Sequence, residues 1–167
     1  MAETTLESQL GELLDQETFS PPSGFADHAV ISDPKIFEEA EGDPEGFWAK
    51  QSEELLHWHE KWDQVLDWSN PPFAKWFVGG KLNVAYNCVD RHVESGHGDQ
   101  VAIHWEGEPG DSRAITYAEL QREVSKAANA LTSLGIGAED RVAIYMPMVP
   151  EAIFSMLACA RVGALHN

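Results

Sequence analysis

Residues 100–166 constrain the fold most, because their hydrophobic period changes in step with their turn residues. Val101, Ile103 and Trp105 alternate as on a half-buried strand, and a turn over 107–111 leads to Ala114-Ile115, which predicts a hairpin. Thr116-Tyr117-Ala118-Glu119 then forms a capping box, in which the threonine hydroxyl accepts from the third helical amide and the glutamate reaches back to the cap amide. The helix it opens carries Leu120, Val124, Ala127, Ala128, Leu131 and Leu134 at spacings of three and four, and Gly135 stops it. Residues 141–145 are a short apolar run of the kind buried in a parallel sheet, Pro147 and Pro150 frame the start of a helix over 151–162, and Gly163 ends it. Ala164-Leu165-His166 starts another strand. This order predicts an α/β fold containing a partial doubly wound sheet, with Asn167 in mid-fold.

Residues 75–92 precede that body as a joint. Lys75-Trp76-Phe77 reads as a strand, Gly79-Gly80 as a turn, and Asn83 as the cap of a helix over 84–93 whose buried stripe is Ala85, Cys88, Val89 and His92. Asn83 and Trp76 are expected to matter for stability. Asp90, Arg91 and His92 gather an acid, a cation and an imidazole, but helical neighbours point in different directions, so they are read as ties to surrounding elements. Upstream, Pro34 and the run Asp43-Pro44-Glu45 mark the starts of two short helices. Trp58, Trp62, Val65, Leu66 and Trp68 follow without a clean period, which predicts irregular chain pinned by its aromatics. Leu6, Leu10, Leu13 and Leu14 share a helical face in a terminus expected to be mobile.

Charge narrows the partners. With 28 acidic and 11 basic residues, a net charge of −17 opposes docking on nucleic acid or anionic lipid. No basic and apolar leader opens the sequence, and the longest apolar stretch, 152–165, is broken by Arg161, so a cytoplasmic protein is expected. Cys88 and Cys159 lie far apart in apolar helical patterns and are read as buried free thiols; His57 and His59 lack a third ligand at zinc-like spacing. Gly135-Ile136-Gly137 follows a helix and lacks a third glycine, and Gly79-Gly80-Lys81 is followed by Leu82 where a phosphate loop needs Ser or Thr. Both are read as turns.

Phe47 to Lys50 (FWAK), KWFVGGKLNVAYNCVDRH, ITYAELQREV, EDRVAIYMPMVPEA and MLACARVGALH, in this order, resemble the amino-terminal part of acetyl-coenzyme A synthetases, in the adenylate-forming acyl-CoA synthetase superfamily. The resemblance implies an intact enzyme that condenses acetate with ATP to an acetyl-adenylate and then transfers acetyl to coenzyme A, with Mg2+ accompanying the ATP. The residue patterns and the resemblance together give three parts: a mobile acidic terminus (1–24), read from its acids and the following PPSG, an arm with short helices and a strand (25–82), and the truncated start of an AMP-binding α/β domain (83–167). The family's phosphate loop, acetate pocket and catalytic lysine lie beyond this sequence, so no catalytic, cofactor-binding or metal residue is carried over, and the segment is expected to be an inactive scaffold that binds no cofactor tightly. Ala138-Glu139-Asp140 stands where the family usually has Lys-Gly-Asp, and Asn167 where it usually has Ser. Alternatives are a segment of a propionyl-CoA synthetase and a non-catalytic module for a regulatory partner, with self-association through the sheet edge.

Overall fold

The computed structural model describes Gly11 and residues 21–167, so most of the leucine-bearing terminus lies outside the described residues. The chain forms two compact units that divide between Pro44 and Glu45. In the first, turns lead to α1 (Lys35–Gly42), where the Asp33 carboxylate accepts from the Lys35 amide at 3.0 Å. That side-chain bond occupies a helix-start amide that has no partner within the helix.

All of α2 (Pro44–Leu55) except its first residue lies in the second unit, and its early proline and Glu45 suit a helix start. It buries Ser52, while Trp48 and Leu55 stay exposed. Next, β1 (Gln64–Asp67) pairs antiparallel with β2 (Lys75–Val78), in a register that sets Leu66 against Trp76. This corrects the expectation of irregular chain around Val65 and Leu66. The tryptophans obscured the strand because they serve different purposes: Trp58 and Trp62 pack on Phe77, with ring centroids 5.5 and 5.8 Å apart, while Trp68 faces solvent. Phe77 takes φ 53, a conformation that costs a non-glycine residue roughly 1 to 2 kcal/mol. Three indoles, including Trp76 at 6.1 Å, surround it there.

Downstream of Asn83 the chain is helical, but it widens into π turns at Tyr86–Asp90 and Val93–His97. A π turn closes i→i+5 and so rotates the buried stripe away from ordinary helical spacing. Ala85, Asn87 and Val89 are buried, whereas Cys88 is exposed and His92 is half-buried, which corrects the predicted stripe and the reading of Cys88 as a buried thiol. Cys159 is buried as expected, and burial pushes its thiol up from the ordinary range.

The hairpin of β3 (Val101–Glu106) and β4 (Ser112–Thr116) is present, with Ile103 opposite Ile115 and an irregularity between Val101 and Ile103. Helix α3 (Tyr117–Ser133) starts on the capping box: Glu119 N donates to Thr116 Oγ1 at 3.2 Å and Thr116 N to Glu119 Oε2 at 3.0 Å. The short strand β5 (Arg141–Val142) leads through α4 (Pro150–Val162) to β6 (Leu165–His166), which returns parallel to β5. Gly163 ends α4 at φ 80, the left-handed conformation that a helix C-terminus needs and that glycine adopts without a Cβ penalty. Val89, Ile115, Leu120, Val124 and Phe154 make the core, so the π-helical segment, hairpin, α3 and α4 share one apolar centre.

The molecule is thus α/β, with three two-stranded sheets among the described residues. The run over 141–145 is not buried along its whole length: Val142 and Ile144 are half-buried, whereas Arg141, Ala143 and Tyr145 are exposed, Tyr145 fully. Among the described residues β5 has one strand neighbour, β6, and the pairing continues past the two strands, with Asn167 N donating to Val142 O at 3.2 Å.

Candidate functional site

Five polar side chains converge where the segment after the arm meets α3 and α4. Asn83 Oδ1 accepts from Tyr86 N at 3.1 Å, the cap expected from sequence, and its amide donates to the carbonyls of Ala160 and Arg161, each at 3.2 Å. Arg161 projects from the last turn of α4, where a cation also suits the helix dipole. Its guanidinium donates to Asp90 Oδ2 at 2.5 Å and to Ser125 Oγ at 2.6 Å, and Gln121 Nε2 donates to Asp90 Oδ1 at 2.8 Å. Both ionic side chains are largely sheltered, at 22% and 17% exposure for Arg161 and Asp90. An ion pair removed from water in this way needs all its hydrogen bonds satisfied, and this one has partners on three elements.

A second set of contacts leaves the same segment toward the arm. Asn87 accepts from His57 N at 2.8 Å and donates to His57 O at 3.0 Å, the way one strand brackets a residue of its neighbour. Arg91 Nη1 donates to Leu55 O at 2.7 Å, and the His57 ring lies 4.9 Å from that of Tyr86. Asp90, Arg91 and His92 therefore diverge as their helical placement predicts: Asp90 goes to α3 and α4, Arg91 to the arm, and His92 against the Tyr117 ring at 4.8 Å. They do not converge on a reacting atom.

The glycine turns do not fit a nucleotide phosphate. An atom added to Gly79 would stand 2.6 Å from Asp63 Oδ2, so a carboxylate already faces that turn. Gly137 N donates to Asp140 Oδ2 at 2.9 Å, which occupies an amide that an anion would need. Among the described residues no cluster of three or more metal-ligating side chains occurs, and His57 and His59 point their backbone amides to Asn87 and Lys81. Ser95 does lie 3.1 Å from His97 Nδ1, but its hydroxyl donates to Arg91 O at 2.7 Å and both residues are exposed. Among the described residues, these contacts hold elements together.

A cleft opens beside the loop that precedes α4. It measures about 710 Å³ and lies between the hairpin turn, with Trp105, Glu106 and Glu108, and the loop of Pro147, Met148 and Val149. Trp105 Nε1 donates to Met148 O at 2.8 Å across it. Nearby, Arg113 pairs with Glu151 at 2.8 Å and holds that carboxyl below the usual range.

Two family models tile the chain. Acetyl-coenzyme A synthetase N-terminus matches residues 34–88, and AMP-binding enzyme matches residues 89–167. An acetyl-coenzyme A synthetase of Streptomyces avermitilis is 62% identical over 161 residues, 96% of this chain and 24% of that protein. The chain belongs to the acetyl-coenzyme A synthetase family. The Mycobacterium tuberculosis relative is 62% identical over 90% of the chain, and that of Mycolicibacterium smegmatis 64% over 89%. The chain spans 24%, 23% and 16% of the lengths of these relatives. The boundary between the family's two models falls at residues 88 and 89, inside the π turn whose Asn87 holds the arm and whose Asp90 holds α4.

Sequence reasoning found Asn83 and the outward ties of Asp90, Arg91 and His92, and missed Asn87 and the partner of Arg161. The signal for Arg161 was present, as the one charge inside an otherwise apolar stretch. Asn87 carried none, because a π turn, and not the ordinary helical period, brings it inside.

Proposed function

We propose that this chain is the opening segment of an acetate:coenzyme A ligase. The intact enzyme joins acetate to ATP as acetyl-adenylate, with Mg2+ on the ATP and pyrophosphate released, and then passes acetyl to coenzyme A. The observation that carries this reading is the 62% identity to an acetyl-coenzyme A synthetase across 96% of the chain. Within the enzyme these residues are scaffold. The terminus (1–24) and arm (25–82) lead into the first part of the AMP-binding domain (83–167), where the parallel β5–β6 pair starts a doubly wound sheet that later strands widen. No residue here is catalytic, and the segment alone holds neither ATP nor coenzyme A tightly. The enzyme works in the cytoplasm; among the described residues no helix is long and apolar enough to cross a membrane.

The experiment is acyl-CoA formation by a chain of the relatives' full length carrying these residues, with acetate and propionate in competition. Preferential acetyl-CoA supports the reading, preferential propionyl-CoA replaces the substrate, and no ATP-dependent product with either overturns the ligase. A second reading, a module for protein contact, draws on the exposed Tyr145, Met148 and Leu165 beside β5 and β6, since unpaired strands and apolar patches invite association. Sedimentation of the 167-residue chain decides whether copies pair through that edge: a concentration-dependent dimer supports pairing, and a monomer at all concentrations rules it out.

A further inference from the structure

We propose that Arg161 is a positioning residue for the carboxyl end of the β5–β6 pair, acting through the strand whose register it fixes. The inference rests on the ligase reading and adds a residue to it. The two strands run parallel, and their carboxyl ends lie side by side, with Ile144 N donating to Asn167 O at 2.8 Å. In open parallel sheets, ligands bind outside that end of the strands. Arg161 sits at the opposite end, in the last turn of α4, four residues before β6 begins.

From there the chain leaves no slack. Gly163 turns it at φ 80, Ala164 N donates back to Cys159 O at 2.9 Å, Gly163 O accepts from Glu139 N at 3.0 Å, and Leu165 N donates to Asp140 O at 2.8 Å. The end of α4 and the register of β6 are one rigid piece. What fixes that piece laterally is Arg161, forked between Asp90 and Ser125, together with Asn83 on the carbonyls of residues 160 and 161. Gln121 occupies the second oxygen of Asp90, so the carboxylate cannot swing to follow a displaced helix. Because Asp90 belongs to the π turn that Asn87 ties to His57, the same device transmits the seat of the arm to β6.

The test has two arms. In the 167-residue chain, Arg161→Met is expected to speed hydrogen exchange at the amides of Ile144, Leu165 and Asn167 by about tenfold or more, while the amide of Ile115 in the hairpin keeps its wild-type protection. In the full-length ligase, Arg161→Met is expected to raise KM for ATP or coenzyme A by about tenfold, measured below the melting transition and corrected for active fraction. Arg161→Lys, which keeps the positive charge but replaces the planar guanidinium fork with a single ammonium, should fall between wild type and Arg161→Met. A residue that merely stabilises the fold would lower the active fraction and leave both KM values in place. Unchanged KM with faster exchange, or changed KM with unchanged exchange at β6, overturns the proposal. A wild-type enzyme that makes no acetyl-CoA removes the ligase reading and this inference with it, whereas an active wild type with unaffected variants removes this inference alone.

Discussion

The Thr116 hydroxyl and the Glu119 carboxylate close a reciprocal cap at the start of the longest helix. Thr116→Ala should lower stability by about 1 kcal/mol in urea unfolding, with the helix retained. Glu119 adds a pH signature. Its carboxyl is held below the ordinary glutamate range chiefly by the Thr116 amide, so its contribution is complete above about pH 4.3 and is lost as pH falls through the depressed folded value. Glu119→Gln should therefore melt below wild type near neutrality and converge with it in acid; parallel melting curves at every pH would contradict this. Asn87 carries the other strong residue-level expectation. Asn87→Ala leaves the amide and carbonyl of His57 without their partner, at a cost of about 1 to 3 kcal/mol, and should loosen the arm before the core by hydrogen exchange. Trp76 was expected to behave like a core residue, but at 44% exposure its removal leaves no closed cavity.

Elements were legible in proportion to how far their own sequence decides them. α3 announces both its ends, through a capping box and Gly135, and α4 does so through Pro150 and Gly163. β1 was not legible, because four residues between tryptophans with unequal burial show no period of two. Nor was the π turn at Tyr86–Asp90: its Asn87 and Asp90 reach partners 30 or more positions away, which no local pattern encodes. At this scale Gly163 is the sharpest test. A Cβ there would meet Ala138 Cα and Cβ at 3.4 Å, ordinary contact, so the cost of Gly163→Ala comes from φ 80 and should be about 1 to 2 kcal/mol. A neutral effect on thermal unfolding would mean that α4 can end differently and that β6 is not locked to it.

Across the whole molecule, the α/β class and the order of elements after residue 100 were legible from the patterns, and the family from the motifs. What the patterns could not give is which strands meet: the hairpin and the parallel pair form separate two-stranded sheets among the described residues. The side chains that tie residues 55 and 57 of the arm to α3 and α4 are gathered at one joint, and that joint coincides with the boundary between the two family models. We propose that these residues are support and that the chemistry belongs to the rest of a ligase. Acetate-dependent exchange of pyrophosphate into ATP tests this most directly, measured for the 167-residue chain and for a chain of the relatives' full length carrying it. The account predicts exchange by the long chain and none above a protein-free blank by the short one; exchange by the 167 residues alone, or its absence from the long chain, would contradict it.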